Sequence, residues 1–333
     1  MDIKEKLSVC VPAYNSEQTI ADTLRSILSQ SLADFELLVV DNASTDNTVK
    51  IVKDFKDPRI KLVINQENVG CGRNLEVCKN KSSGNILFFL SADDLIQKDA
   101  LLKVYQAFKR SDDIGIVSRP YFWFEESPLK PVRATAQSES DEIISLESPN
   151  LKINRIIASF DQISGMAFRK KYMLFAFSSE PFIEIAKMAC PMLKVCKAVL
   201  LADNIVAVRI NANGSMNPAV YRNSPMLAWL GVIQEAFAAD EYSLLRKYLV
   251  RNFVANNYVG LVQIKVFAGQ IKLLREILVL IRLKWDNIFH LQFWFFTLLT
   301  LLFPGVWLRR LGSQYKKNVN SAFINQEILK GWR

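Results

Sequence analysis

Between residues 7 and 94, short β-rich apolar runs alternate with stretches of helical periodicity, and this alternation constrains the fold more than any other feature of the chain. Residues 7–12 form the first run, ended by Pro12. Ile20, Leu24, Ile27 and Leu28 then recur at helical spacing, with Asn15 or Ser16 as the cap. Residues 35–40 form a second run ended by Asp41. Turn residues 42–46 lead from it into a helix with Val49, Val52 and Phe55 on one face. Residues 59–64 form a third run, Gly70 and Gly72 sit in a loop, and residues 74–79 read as helix. After Gly84 a fourth run reaches Phe88, Phe89 and Leu90, passes Ser91 and Ala92, and stops at two adjacent carboxylates, Asp93 and Asp94. Such runs are buried strands, and strands alternating with helices build a mostly parallel, doubly wound α/β sheet. Right-handed crossovers put the strand ends on one edge, so Asp41 and the Asp93–Asp94 pair converge on one crevice.

Open α/β sheets bind their ligands outside the carboxyl ends of the strands. Two carboxylates crowded there disfavour each other's ionisation. A hard divalent cation, itself held by phosphate oxygens, relieves that cost. A metal-bridged nucleotide is the ligand this chemistry points to. Each residue also has a plainer reading. Asp41 suits an ordinary turn. Asp93 and Asp94 suit the cap of the next helix, whose apolar face is Leu101, Leu102, Tyr105 and Phe108. Arg73 suits a solvated surface, and Gly70 and Gly72 a turn alone.

Four segments carry a family resemblance: Val11-Pro12-Ala13-Tyr14-Asn15, Val40-Asp41-Asn42-Ala43-Ser44-Thr45-Asp46, Asn68-Val69-Gly70-Cys71-Gly72-Arg73-Asn74 and Leu90-Ser91-Ala92-Asp93-Asp94. In order and spacing they resemble the signatures of family 2 glycosyltransferases, inverting enzymes of the GT-A fold, over roughly residues 7–120. The resemblance implies a nucleotide diphosphate sugar donor and a divalent cation, Mg or Mn. It implies that Pro12, Ala13, Tyr14, Asn15 and Asp41 hold the base and ribose, with Arg73 near the nucleotide. Asp46 opens the following helix and caps it. Asp93 falls on the metal-binding Asp of the family's Asp-x-Asp motif, and Asp94 is the acidic residue after it. Ser91 departs from that motif where many members carry its first Asp.

Composition removes rival chemistries. The single His, His290, lies in an apolar segment and reads as a packed or interfacial residue, which leaves a Ser-His-Asp machine or a His-rich zinc site without support. The five Cys form no Cys-x-x-Cys pair and scatter through core-like segments, as in a reducing compartment. The N-terminus runs straight into a strand without an apolar leader, which argues against secretion.

The chain divides into a nucleotide-binding half at 1–120, an acceptor-binding half at 121–215 with a mobile loop at 125–150, and a basic, apolar helical region at 216–333. Residues 151–160 read as helix and 163–168 as strand. In the resembled family this second half supplies a general base shortly after a Ser-Gly-x-x-Phe strand. Glu184 and Glu180 are the nearest candidates, Asp161 the next, and a helix-start Glu is the plain alternative for the first two. Residues 243–333 hold fourteen Lys/Arg against three Asp/Glu, although the whole chain is only +9. Arg275, Arg282, Lys284, Arg309, Arg310, Lys316 and Lys317 border apolar stretches, including an uncharged run at 287–308. That pattern suits the headgroup region of an anionic cytoplasmic leaflet, as a peripheral or monotopic anchor. A spanning helix, or an internal core or oligomer interface, is the alternative. Basic residues beside greasy helices do not suit nucleic acid.

The function these features imply is inverting transfer of a single sugar to a hydroxyl of a saccharide or lipid-linked saccharide in cell-surface polysaccharide synthesis. The Gln-x-x-Arg-Trp signature of the family's processive synthases is absent. The alternative is a non-catalytic scaffold that binds a nucleotide sugar or a membrane.

Overall fold

The computed structural model describes residues 5–210, 224–308, 329 and 331–332. The apolar runs become β1 (Leu7–Ala13), β2 (Phe35–Asp41), β3 (Ile60–Ile64) and β4 (Ile86–Phe89). These four strands are mutually parallel, in the order β3-β2-β1-β4. The sheet continues through β10 (Ala167–Arg169), β6 (Ile114–Ser118), β11 (Lys197–Leu200) and β9 (Glu142–Ile144), giving eight strands. β10 runs antiparallel to both β4 and β6. The segments at 1–120 and 121–215 therefore share one sheet.

Helices cover the sheet because their apolar stripes have nowhere else to go. α1 (Ile20–Leu28) fully buries Ile20, Leu24 and Ile27, each contributing about 1.5–3 kcal/mol. α2 (Thr48–Asp54) buries Val52, and α3 (Cys71–Lys81) buries Leu75 and Cys78. α4 (Ala100–Lys109) turns Leu101, Val104, Ala107 and Phe108 inward, with Tyr105 partly buried against the same core, so Val104 takes the place of Leu102 on the expected face. α5 (Asn150–Ala158) and α6 (Glu184–Met192) follow. Four of the five cysteines are buried and Cys71 is exposed.

Several sequence expectations are corrected. The residue preceding α1 is Thr19, and Ser16 opens the turn that leads into the helix, its carbonyl accepting from the amides of Thr19 and Ile20. Gly72 lies inside α3, not in a loop. The residue that caps α4 is Asp99, and β5 (Leu95–Ile96) separates it from Asp93 and Asp94, so that pair does not cap the helix. The stretch expected as a mobile loop at 125–150 contains β8 (Pro131–Ala134) and β9, both edge strands. They are too short for a readable alternation, and Pro131 is tolerated because the edge leaves its missing N–H unneeded. β8 joins β5, β7 (Tyr121–Phe124) and β12 (Val206–Arg209) in a second sheet of order β5-β12-β7-β8. Its far face packs Phe122, Phe124 and Ala207 together, and Trp332 lies edge-on to Phe122.

A second compact unit holds α7 (Pro225–Ala236), α8 (Ser243–Asn256), α9 (Gly260–Phe267), α10 (Gln270–Leu283) and α11 (Leu291–Leu302). The Ser224 side chain accepts from the Leu227 amide to cap α7, with Pro225 at the first turn. Leu249, Val254, Leu261, Leu273, Leu280 and Phe293 are buried. Tyr258 donates to Asn287, which in turn donates to the Leu280 carbonyl. No helix among the described residues is long and apolar enough to cross a membrane, which overturns the spanning alternative there. The run at 287–308 breaks at His290 and again at Phe303 and Pro304. α11 has 12 residues, about 18 Å of helix against about 30 Å of hydrocarbon. His290 is exposed at the start of α11, not packed. Arg309, Arg310, Lys316 and Lys317 lie outside the described residues, as do residues 1–4.

Candidate functional site

Parallel pairing of β1 with β2 sets Ala13 opposite Asp41, so the loops after both strands leave the sheet side by side. They are tied together by reciprocal hydrogen bonds. The Asn15 amide donates to Ser44 Oγ at 2.9 Å, and the Thr45 amide donates to Asn15 Oδ1 at 2.8 Å. Asn15 and Ala43 adopt positive φ of 47° and 58°, a conformation that costs a non-glycine residue energy unless neighbours enforce it. Asp41 is buried, and its carboxylate accepts from the Ser44 amide at 2.9 Å and from Ser44 Oγ at 2.5 Å. Pro12 is half-buried, Ala13 buried, and Tyr14 exposed. Asp46 accepts from Thr48 at the start of α2 and from the Glu17 amide.

An asparagine ladder carries the crevice onward. Asn42 Oδ1 accepts from Asn65 and from the Val69 amide, while Asn42 donates to Asn68 Oδ1 at 2.8 Å. Asn68 Oδ1 also accepts from the Gly70 amide. Asn74 accepts from Asn65 and donates to the Val40 carbonyl at 3.1 Å. Gly70, at φ 83°, turns the chain into α3. The ladder fixes the first turn of α3, from which Arg73 projects to solvent.

The fourth strand end is held differently. The Leu90 amide bonds the Cys10 carbonyl, keeping this end beside β1. Ser164 Oγ accepts from the Ser91 amide at 3.0 Å and donates to Asp94 Oδ2 at 2.5 Å. The Arg209 amide donates to Asp94 Oδ1 at 2.8 Å. Asp94 is therefore buried with both oxygens engaged inside the protein. Asp93 is half-buried. Arg209 Nε donates to the Asp93 carbonyl at 3.1 Å while its guanidinium stacks on Phe124. Burial raises the Asp93 carboxyl above the usual Asp value, against a smaller opposing effect of Arg209. Burial and then the Asp93 charge push Asp94 well above it. Two crowded, desolvated carboxylates favour an added cation. Among the described residues no cluster of three metal-ligating side chains exists. That donor set fits Mg²⁺ or Mn²⁺, which take one or two protein carboxylates and complete their shell with water and substrate phosphate.

The base candidates lie beyond α3. The Ser178 carbonyl sits so close to Gly72 that a Cβ there would come within 1.8 Å of its oxygen. Ser178 Oγ accepts from the Glu180 amide, and the Ser178 amide donates to the Glu184 carbonyl at 3.2 Å. Glu184 opens α6 and is an electrostatic neighbour of Cys71. Asp161 is exposed and accepts from Tyr121 Oη at 2.9 Å. Arg119, 1% exposed, donates to the carbonyls of Ser159, Gln162 and Ser164, fixing the loop that carries Asp161.

The structure thus gathers residues 12–15, Asp41, Asp93 and Asp94 at one sheet edge, and sets Glu180 and Glu184 against the first turn of α3, which carries Arg73. Sequence reasoning missed the working partners Ser164, Arg119 and Arg209 and the roles of Asn42, Asn65 and Asn68. The asparagines stand in or beside the signature segments. Arg209 is joined to Asp94 across 115 residues and leaves no local signal.

Comparison with known proteins bears on this edge. The family model described as Glycosyl transferase family 2 matches residues 8–174. The chain is 39% identical over 89 residues to the Escherichia coli UDP-Glc:alpha-D-GlcNAc-diphosphoundecaprenol beta-1,3-glucosyltransferase WfgD, covering 27% of this chain and 35% of WfgD. It is 32% identical over 136 residues to the putative glycosyltransferase EpsE of Bacillus subtilis, covering 40% of this chain and 49% of EpsE. The chain thus spans half or less of the length of these curated relatives. Its fold is similar to that of S. aureus TarS residues 1–349 in complex with UDP, with TM-score 0.60 and 21% identity over 76% of this chain and 72% of that one. It is also similar to the mannosyltransferase PcManGT from Pyrobaculum calidifontis in complex with GDP-Man and Mn2+, with TM-score 0.53 and 16% identity over 94% and 88% of the two chains.

Proposed function

The chain belongs to glycosyl transferase family 2, and from that premise we propose that it transfers one sugar, with inversion, from a nucleotide diphosphate sugar to a hydroxyl of an acceptor. The observation that carries this reading is the convergence of Asp41, the 12–15 loop and the Asp93–Asp94 pair on one sheet edge. The base and ribose lie along residues 12–15 and Asp41, with Ser44 holding the Asp41 carboxylate in place. Arg73 reaches the nucleotide from α3. Asp93 is the residue that holds a divalent cation, since the oxygens of its neighbour Asp94 are already engaged. When bound, such a cation supplies Lewis-acid stabilisation of the diphosphate leaving group.

Glu184, or Glu180 beside it, takes the proton from the acceptor hydroxyl, a contribution of about 10²–10⁴-fold. The hydroxyl oxygen forms the new bond to the anomeric carbon from the face opposite the diphosphate, and the bond to the diphosphate oxygen breaks. Uracil is the favoured base, because TarS is similar in fold and is seen with UDP. A lipid-linked saccharide is the favoured acceptor. WfgD is named for a diphosphoundecaprenol substrate, and the helical unit exposes apolar side chains among basic ones, as a peripheral membrane protein does. Its place is then the cytoplasmic face, in cell-surface polysaccharide synthesis.

The engagement of Asp94 within the protein favours a second reading, a nucleotide-sugar-binding scaffold without catalysis. Product analysis with UDP-sugars and a lipid-diphosphate saccharide acceptor separates the two. Transfer that disappears in Asp93→Asn supports the enzyme, whereas UDP binding without turnover of any donor supports the scaffold.

A further inference from the structure

The helical unit contains an open basin of about 570 Å³ lined by Gln234, Ser243, Arg246, Lys247, Val250, Arg251, Leu283 and Trp285. Three of its lining residues are cationic and none is acidic. Arg246 donates to the carbonyls of Phe237 and Ala238 at the end of α7, so its charge is held in place without a carboxylate partner in those bonds. Arg251 bonds Asp286 at 2.8 Å, but Asp286 is shared with Lys284 at 3.3 Å and with His290 at 3.5 Å. One carboxylate therefore serves more than one permanent cation, and the basin keeps an excess of positive charge. Lys247 is exposed at its wall.

The rim is as telling as the floor. Trp285, which lines the basin, is 65% exposed and meets the 74% exposed Phe289 edge-on, and Ile288 and Leu291, next to Phe289 and two residues beyond it in the chain, are exposed as well. Large apolar side chains at such exposure are costly in water when they form a contiguous patch. Aromatic side chains at the edge of a cationic site match the bilayer interface, where an indole ring sits at headgroup level. A soluble anion would use the three cations and leave the rim in water. An anionic lipid uses both, because its phosphate meets the guanidinium and ammonium groups while its chains cover the rim.

We propose that this basin binds the phosphate of an anionic lipid headgroup in a bilayer, with Trp285, Ile288 and Phe289 entering the acyl boundary. The proposal rests on the membrane-surface part of the reading above and is independent of sugar transfer. It places a specific headgroup site on α8, which diffuse attraction by basic residues does not require.

The test is cosedimentation of the full chain with phosphatidylcholine vesicles and with vesicles of mixed phosphatidylcholine and phosphatidylglycerol, with inorganic phosphate as a separate arm. The variants are Lys247→Glu and Trp285→Ala. Their folding is checked by far-UV circular dichroism and melting of the full chain, which report the helical unit that carries both substitutions. The wild type should prefer the anionic vesicles. Lys247→Glu should weaken that binding about 25-fold, at about fivefold per unit charge, and Trp285→Ala should weaken it about tenfold with the charge unchanged. Equal binding to both vesicle types, or anionic binding that ignores Lys247→Glu in a folded variant, overturns the headgroup site. Stabilisation by inorganic phosphate without vesicle binding overturns the lipid assignment in favour of a soluble anion. No binding to either vesicle overturns the site and the membrane reading together, while UDP-dependent transfer remains a separate result.

Discussion

At the residue scale the account turns on Asp93. It carries the free role at the end of the fourth strand because its neighbour is consumed by Ser164 and the Arg209 amide. Asp93→Asn should leave the protein folded and lower metal-dependent transfer by about 10²-fold or more, the several kcal/mol a cation contributes. The raised carboxyls make a pH prediction with a definite sign. A carboxyl raised on folding contributes stability that is fully present below the ordinary Asp value of 3.8 and is lost as pH rises through its raised value. Without cation, Asp93→Asn should therefore be at least as stable as the wild type at neutral pH, and the difference should shrink on acidification toward 3.8. Melting curves across that range check it, and a difference that grows toward acid contradicts it. Glu184→Gln should lower transfer by about 10²–10⁴-fold while nucleotide binding is retained. Retained transfer in that variant moves the base to Glu180 or Asp161.

At the element scale, the first turn of α3 is held from two sides, by the asparagine ladder and by the Ser178 carbonyl. Gly72→Ala has no room, since its Cβ would meet backbone rather than a movable side chain. It should cost about 1–3 kcal/mol and displace the segment carrying Glu180 and Glu184, lowering transfer more than UDP binding. Unchanged melting and kinetics would show that the contact is not sustained in solution. Much of this architecture was legible in the sequence. β1, β2, β3 and β4 are apolar runs ended by turn residues, so their existence and parallel sense followed from the alternation. β7 read only as an aromatic run, because Phe122 and Phe124 face one side and Tyr121 and Trp123 the other, and both faces are covered. β8 and β9 escaped notice since Ser and Pro in residues 125–150 mimic a linker. β10 was placed too early, because residues 163–165 form the turn, with Gly165 at φ 85°, and the regular register with β4 starts only at Ala167. Arg119 and Arg209 had no local pattern at all. Their partners are carbonyls and carboxylates made neighbours only by the tertiary fold.

At the scale of the whole molecule, the described chain comprises a unit with two sheets, carrying the candidate transfer site, and a helical unit with basic and apolar surfaces. If the helical unit attaches to anionic membranes, salt should release the protein, since screening falls to about 8 Å at physiological ionic strength. Persistence of membrane-bound protein in high salt would favour purely apolar attachment. The central claim, however, is the site at the sheet edge, and it is tested most directly by calorimetric titration of UDP into wild type and Asp93→Asn, each with and without Mn²⁺. The account predicts UDP binding by the wild type that strengthens markedly with Mn²⁺, and binding by Asp93→Asn that Mn²⁺ no longer strengthens. Equal Mn²⁺ enhancement in both proteins, or no binding of UDP or any other nucleoside diphosphate by the wild type, would contradict it.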